Sequence, residues 1–413
     1  MGSHRFHGGF LSLTVGLALA LLPACEKKEG GGDSKDTKAA ETKPADTKPT
    51  TPGGGGGGGD SILIGEYGSL TGSEATFGQS THNGVMLAAK EINEAGGVKG
   101  KKLAIKVYDD QGKPQEAGTA VTRLITDDKV VAVVGEVASS LSIAGGRVAQ
   151  QYKIPMISPS STNPAVTAIG DMVFRVCFLD PFQGWVEAKF ARDNLKAQKA
   201  ALFFDQAQAY SKGLKDFFKK AFTEMGGTVV TEQAYSGGDQ DFSAQLITIR
   251  DLKPDVILIP GYYTDVANIA VQARKLGITA PFLGGDGWDS SQLYAIGGAA
   301  IDGSYFSNHY TPSEERPEVQ NFVKKYKAEY GATPDGLAAL GYDATLLLAD
   351  ALKRAEATDG PTLAKAIGAT KDFHGVTGIF SIDEHRDAKK SAVVVQAKDG
   401  KPLFVTSISP PST

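Results

Sequence analysis

Cysteine is almost missing from this chain: Cys25 and Cys177 are the only two in 413 residues, so no disulfide framework can hold the fold. A surplus of either charge is missing as well. Forty-three Lys and Arg stand against 47 Asp and Glu, a balance without the basic footprint of a nucleic-acid binder. Catalytic signatures are also lacking. No G-x-S-x-G elbow occurs, and "GGVKGKK" (96–102) has neither the leading glycine nor the Ser or Thr of a phosphate-binding loop. His82, His309, His374 and His385 are scattered without metal-ligand spacing. Beyond the first 25 residues no apolar run is long enough to cross a bilayer. These absences point away from an enzyme, and from a metal or other cofactor.

What is present begins with "FLSLTVGLALALLPAC" (10–25), preceded by Arg5 and two histidines. This apolar stretch is too short to span stably and has the form of a signal peptide. Leu22, Ala24 and Cys25 match a lipobox, with Pro23 the less usual residue, so Cys25 is expected to carry a lipid. Residues 26–60 hold no aromatic and almost no aliphatic side chain, and are expected to form a disordered Gly-, Pro-, Lys- and Thr-rich tether.

From Ser61 onward, strand and helix signals alternate. "ILIGEY" and "KLAIKVYDD" read as strands; Val85, Ala89 and Ile92 recur at helical spacing, 115–127 reads as a helix, and 212–225 is amphipathic through Leu214, Phe218 and Phe222. The alternation predicts an α/β fold of open, mainly parallel sheets covered by helices on both faces. "DDKVVAVVGEVAS" (127–139) is echoed by "LKPDVILIPGYYT" (252–264), and "KIPMISPSST" (153–162) by "TAPFLGGDGW" (279–288). A single offset of 126 aligns Gly135 with Gly261 and Pro155 with Pro281, which points to two lobes of one topology.

Two apolar runs stop abruptly at hydroxyls, in "VVGEVASSLS" (133–142) and "IPMISPSSTNPAVT" (154–167). Ser139, Ser140, Ser160, Ser161 and Thr162 then fall at strand-to-helix turns, where hydroxyls and free N–H groups accept anions. Helix capping is the alternative, but it needs one hydroxyl per turn. If the lobes face one another, Ser139 and 160–162 stand opposite Tyr262 and Asp286, a pairing that fits a small zwitterion.

With "GSLTGSEATFGQSTHNGVMLAAKEINEAGGVKGKKLAIKVYDDQGKPQEA", "ISPSSTNPAVT", "FRVCFLDPFQG" and "GGDGWDS", the chain resembles the type I periplasmic solute-binding proteins of the leucine/isoleucine/valine kind over almost all of 61–400. The resemblance implies two doubly wound lobes joined by a three-strand hinge, 61–179 plus 310–378 and 180–309 plus 379–413. It also implies an amino-acid ligand, the membrane permease of an ABC importer as partner, a monomer, and an anchored place on the extracytoplasmic side of the cell envelope. It gives the ligand carboxylate to Ser139, a backbone carbonyl to Ser160, and a hydroxyl and N–H to Thr162. Tyr210 and Asp286 meet the ligand from the other lobe, Tyr262 lines the site, and Phe77 takes the place of an aromatic lid. Some relatives have a disulfide where Gly112 and Ala138 stand here. Ligand sensing, or binding of an aromatic acid or amide that leaves Asp286 without an ammonium, remain open alternatives. Trp288 is expected in the cleft wall, Glu136 in solvent, and Cys177 in the core.

Overall fold

The computed structural model describes residues 61–411; the signal peptide expected over 1–25, with Cys25, and the tether expected over 26–60 lie outside the described residues. The first lobe opens with β1 (Ser61–Gly68), α1 (Ala75–Glu94), β2 (Lys102–Asp109), α2 (Pro114–Thr126), β3 (Ala132–Gly135), α3 (Ser139–Tyr152), β4 (Met156–Ser158) and β5 (Val173–Arg175). The chain then builds the second lobe with α4 (Asp180–Asp193), β6 (Lys199–Asp205), α5 (Ala209–Glu224), β7 (Thr228–Tyr235), α6 (Ser243–Leu252), β8 (Val256–Leu258), α7 (Tyr263–Lys275), β9 (Phe282–Gly284), α8 (Ser291–Gly297) and β10 (Tyr305–Asn308). It returns to the first lobe for α9 (Pro317–Tyr330), α10 (Gly336–Arg354), α11 (Gly360–Gly368) and the hairpin β11 (Phe373–Gly375) and β12 (Gly378–Phe380). It ends in the second lobe with β13 (Ala392–Lys398) and β14 (Lys401–Ile408).

The first sheet runs β2-β1-β3-β4-β5 and is parallel throughout. The second repeats that order as β7-β6-β8-β9-β10 and adds β13 and β14 antiparallel at one edge. The internal echo is therefore an echo of topology: β4 and β9 are the strands that the 126-residue offset superimposes. Short strands such as "AVVG" and "VIL" are buried along their whole length, as parallel strands with helices on both faces must be.

Helix α10 is apolar nearly all round because it is buried, its face against α1 closed by two glycines. A Cβ on Gly84 would stand 2.0 Å from the carbonyl oxygen of Ala338, and one on Gly341 would stand 2.6 Å from that of Thr81. Only glycine lets the two backbones approach so closely.

The third return between lobes falls later than expected. Phe380, Ile382 and Ala388 pack in the first lobe's core with Leu340 and Leu347, so the chain crosses between Ala388 and Ala392 rather than at 379. The hairpin is tied to α10 by Asp343, whose carboxylate accepts the N–H groups of Val376 and Thr377 at 2.8 Å each and the Thr377 hydroxyl at 2.6 Å. That fixed carboxylate holds 376–377 in the first lobe, and nothing in the local sequence pattern announces it.

Candidate ligand-binding site

In both lobes the loops leaving the carboxyl ends of the strands beside the switch in strand order face one cleft, the usual place for a ligand in open α/β sheets. From the first lobe come the turn between β3 and α3 and the loop after β4. Their hydroxyls divide into two sets. Ser142 and Ser158 donate to the carbonyl oxygen of Glu136 at 3.1 and 2.9 Å. The Ser161 hydroxyl lies 2.8 Å from the Val137 carbonyl oxygen and 2.7 Å from the Ser142 hydroxyl. These three staple one loop to the other. Ser161 is therefore a strut and not the anion acceptor expected of it, while Ser140 faces the other lobe, accepting the N–H of Ala209 at 3.0 Å.

The second set faces the cleft, Ser139 also accepting the N–H of Asn163 at 3.3 Å. Ser139 opens α3, whose cap position is Ala138 with no side-chain capping bond, so the capping alternative fails. The hydroxyls of Ser160 and Thr162 are buried and have no hydrogen-bond partner. Unpaired hydroxyls in a dry interior are costly unless a ligand or a water meets them.

Arg175 fixes this loop from behind, and sequence reasoning missed it. Its guanidinium is fully buried, pairs with Asp387 at 2.7 Å, and donates to the carbonyl oxygens of Ser161 and Asn163 on either side of Thr162. An arginine between apolar residues at the end of a buried strand was the available signal.

From the second lobe come Tyr210 on the first turn of α5, Tyr262 just before α7, and Asp286 in the "GGDG" loop after β9. The two tyrosine rings stack with centroids 5.5 Å apart and planes 6° from parallel. Glycines make room for them: a Cβ on Gly285 would meet the Tyr210 hydroxyl at 2.4 Å, and one on Gly287 the Tyr262 ring at 3.0 Å. Asp286 accepts from Gln183 at 2.8 Å through one oxygen, and its other oxygen is 3.0 Å from Nε2 of His309. Burial lowers the His309 pKa, so the ring is neutral and Nε2–H is the donor to that carboxylate. Neither partner was expected from the sequence.

Ser139, Ser160, Thr162, Tyr210, Tyr262 and Asp286 together line one cavity of about 220 Å³, completed by Val137 and Gly287. Little of that space is wide enough to pass a water molecule. Phe77 is not in its wall. It stands behind Tyr262, ring centroids 5.4 Å apart and perpendicular, because α1 carries it to the junction where it also meets Tyr263. Trp288 is fully buried in the second lobe, donating to the carbonyl oxygen of Ile259 at 2.9 Å, and does not reach the cleft. Glu136 is buried rather than solvated, since its carboxylate accepts the N–H and the hydroxyl of Ser69 at 2.9 and 3.0 Å. Cys177 is buried, its thiol pushed up to about 12 by desolvation.

The lobes touch across the cleft. Thr76 and Ser290 share a hydroxyl bond of 2.9 Å, Thr264 donates to the Ser73 carbonyl oxygen at 2.7 Å, and Asp289 accepts the Gly336 N–H at 2.7 Å. Near the site, burial holds Asp180 up to about 8 and holds Glu187 well above the carboxylate range. The cleft thus sets hydroxyls and helix N–H groups on one wall against a carboxylate and two phenols on the other. Such walls can hold an anion and a cation a few ångströms apart.

Known proteins share this fold over most of their length. A Leu/Ile/Val-binding protein homolog from Brucella melitensis is 31% identical over 343 residues, covering 82% of this chain and 92% of that one. The crystal structure of a leucine binding protein from Thermotoga maritima is 42% identical with a TM-score of 0.82, covering 84% of this chain and 99% of that one. The branched-chain amino acid transporter substrate binding protein of Streptococcus pneumoniae, solved with isoleucine, is 33% identical with a TM-score of 0.81, covering 85% and 100%. A family model described as periplasmic binding protein matches residues 61–402, and with this fold and cleft the chain belongs to that family.

Proposed function

We propose that this protein captures a small neutral amino acid, branched-chain in the first instance, between its lobes outside the cytoplasm and delivers it to the permease of an ABC importer. The observation that carries the reading is the opposition of Ser139, Ser160 and Thr162 to Asp286 across one small cavity. The hydroxyl wall takes the carboxylate and Asp286 takes the ammonium; the names of the relatives point to the side chain. A cavity this narrow supports exchange of ligand only with the lobes apart, so binding and closure are one equilibrium. Calorimetric titration with leucine, isoleucine and valine tests the assignment, and no binding of any of the three sinks it.

The donors already on Asp286 favour a second reading. Gln183 and His309 satisfy one lone pair on each oxygen, so an aromatic or aliphatic acid without an ammonium would leave no group there unpaired. Benzoate in the same titration separates the two. The sequence "LLPAC" supports a lipid on Cys25 as the anchor. Wild-type protein should incorporate a labelled fatty acid and sediment with membranes, whereas Cys25→Ser should stay unlabelled and either be released or remain uncleaved; an unlabelled, soluble wild type removes the anchor from the proposal.

A further inference from the structure

Beside the connections between the lobes lies a second cavity, about 500 Å³ and open to solvent, that the amino-acid reading does not use. Its wall combines the second connection (His309, Arg316), the β11–β12 hairpin (Thr377, Ile379), the third connection (Lys390) and β14 (Phe404). We propose that this cavity binds a small amphipathic monoanion, an organic carboxylate with an apolar body, whose head meets Lys390 and whose body lies over Ile379 and Phe404.

Lys390 is 5% exposed; its ammonium donates to the Thr377 hydroxyl at 2.5 Å and lies 4.9 Å from the centroid of the Phe380 ring. Among the described residues no carboxylate lies within ion-pair distance of it. An ammonium held this way has lost hydration without a carboxylate in direct contact, and an incoming anion supplies one. Asp343, whose charge acts on it from beyond contact, is occupied by the hairpin N–H groups and the Thr377 hydroxyl.

The other charges in the wall limit the ligand to one negative charge. Arg316 is committed to Glu314 and to the carbonyl oxygens of Gly375 and Val376, and Glu314 would repel a polyanion. The apolar part of the ligand follows from Ile379 and Phe404, which are 53% and 48% exposed beside the buried ammonium. His309 is a second unpaired group: its Nδ1, the acceptor of the neutral ring, is buried without a partner.

Octanoate is the probe, titrated calorimetrically into the protein and three variants. The expected result is one site, weakened at least tenfold by Lys390→Met and by Phe404→Glu, and unaltered by Ser139→Ala in the cleft. Phe404 is exposed, so its variant keeps the test meaningful should Lys390→Met fail to fold. No binding of octanoate, or binding at wild-type strength in Phe404→Glu, overturns the proposal. So does a loss confined to Ser139→Ala, which would put octanoate in the cleft. None of these readouts depends on which ligand the cleft takes.

Discussion

Asp286→Asn separates charge from shape at the residue on which the amino-acid reading turns. Asparagine keeps an acceptor for Gln183, and its amide can donate to a His309 that has moved its proton to Nδ1, so both 2.8 and 3.0 Å contacts survive. Folding stability should then change by no more than about 1 kcal/mol. Binding should change far more, because an ammonium drawn into a dry cleft loses its carboxylate. Truncating one partner of a buried hydrogen-bonded charge pair costs about 2–5 kcal/mol, or roughly 30- to 4000-fold in affinity. The assay is calorimetry on wild type and variant with leucine and with 4-methylpentanoate, which is leucine without its amino group. Leucine should lose affinity by that factor, while 4-methylpentanoate should be unaffected or gain. The protein-by-ligand cycle isolates the ammonium–carboxylate coupling. Equal changes for the two ligands would refute the reasoning and leave Asp286 a structural partner of His309.

Lobe closure should appear in small-angle scattering as a smaller radius of gyration at saturating leucine, and an unchanged curve with binding verified rules out a hinge. Ser139→Ala should weaken leucine by about 1–2 kcal/mol, roughly 5- to 30-fold, and cost about 1 kcal/mol of stability because the buried Asn163 N–H loses its acceptor. Asp180 is held at about 8 against an ordinary 3.8, so the folded protein binds that proton the more tightly. Its contribution to stability is full below about pH 4 and lost as pH rises through about 8. The Tm of Asp180→Asn relative to wild type should therefore climb between about pH 5 and pH 8.5, and a constant difference contradicts the assignment. Arg175→Met leaves Asp387 buried without its partner and should cost about 3–5 kcal/mol in chemical denaturation. A loss below about 1 kcal/mol would mean that the 158–163 loop holds itself.

Local pattern was enough wherever a residue's role depends on its near neighbours in the chain. Alternating apolar runs and helical periodicities marked β1, β2, α1, α2 and α5, since burial imposes those periods on any sequence. The repeated "GEVAS/PGYYT" and "ISPSST/LGGDGW" stretches betrayed two lobes, because one topology places similar turns at similar intervals. The same turns exposed five residues of the cavity wall, where hydroxyls, a phenol and an acid follow buried strands, and the family resemblance added Tyr210. What the sequence by itself determined was thus the fold class, the doubling and most of the cleft's membership.

Tertiary structure alone decided which of those groups are free. Ser160 and Ser161 are adjacent and chemically identical, yet one hydroxyl is unpaired and the other is a strut between loops. Phe77 and Trp288 looked like cleft aromatics but pack behind it, and the crossing expected at 379 moved past Ala388 because Phe380, Ile382 and Ala388 pack in the first lobe's core. Asp286 meets Gln183 and His309 across 103 and 23 residues of chain. Hydrogen-bond satisfaction in a buried site is a property of every group within about 3 Å. Sequence order brings only the nearest of those groups together, and the folded chain supplies the rest.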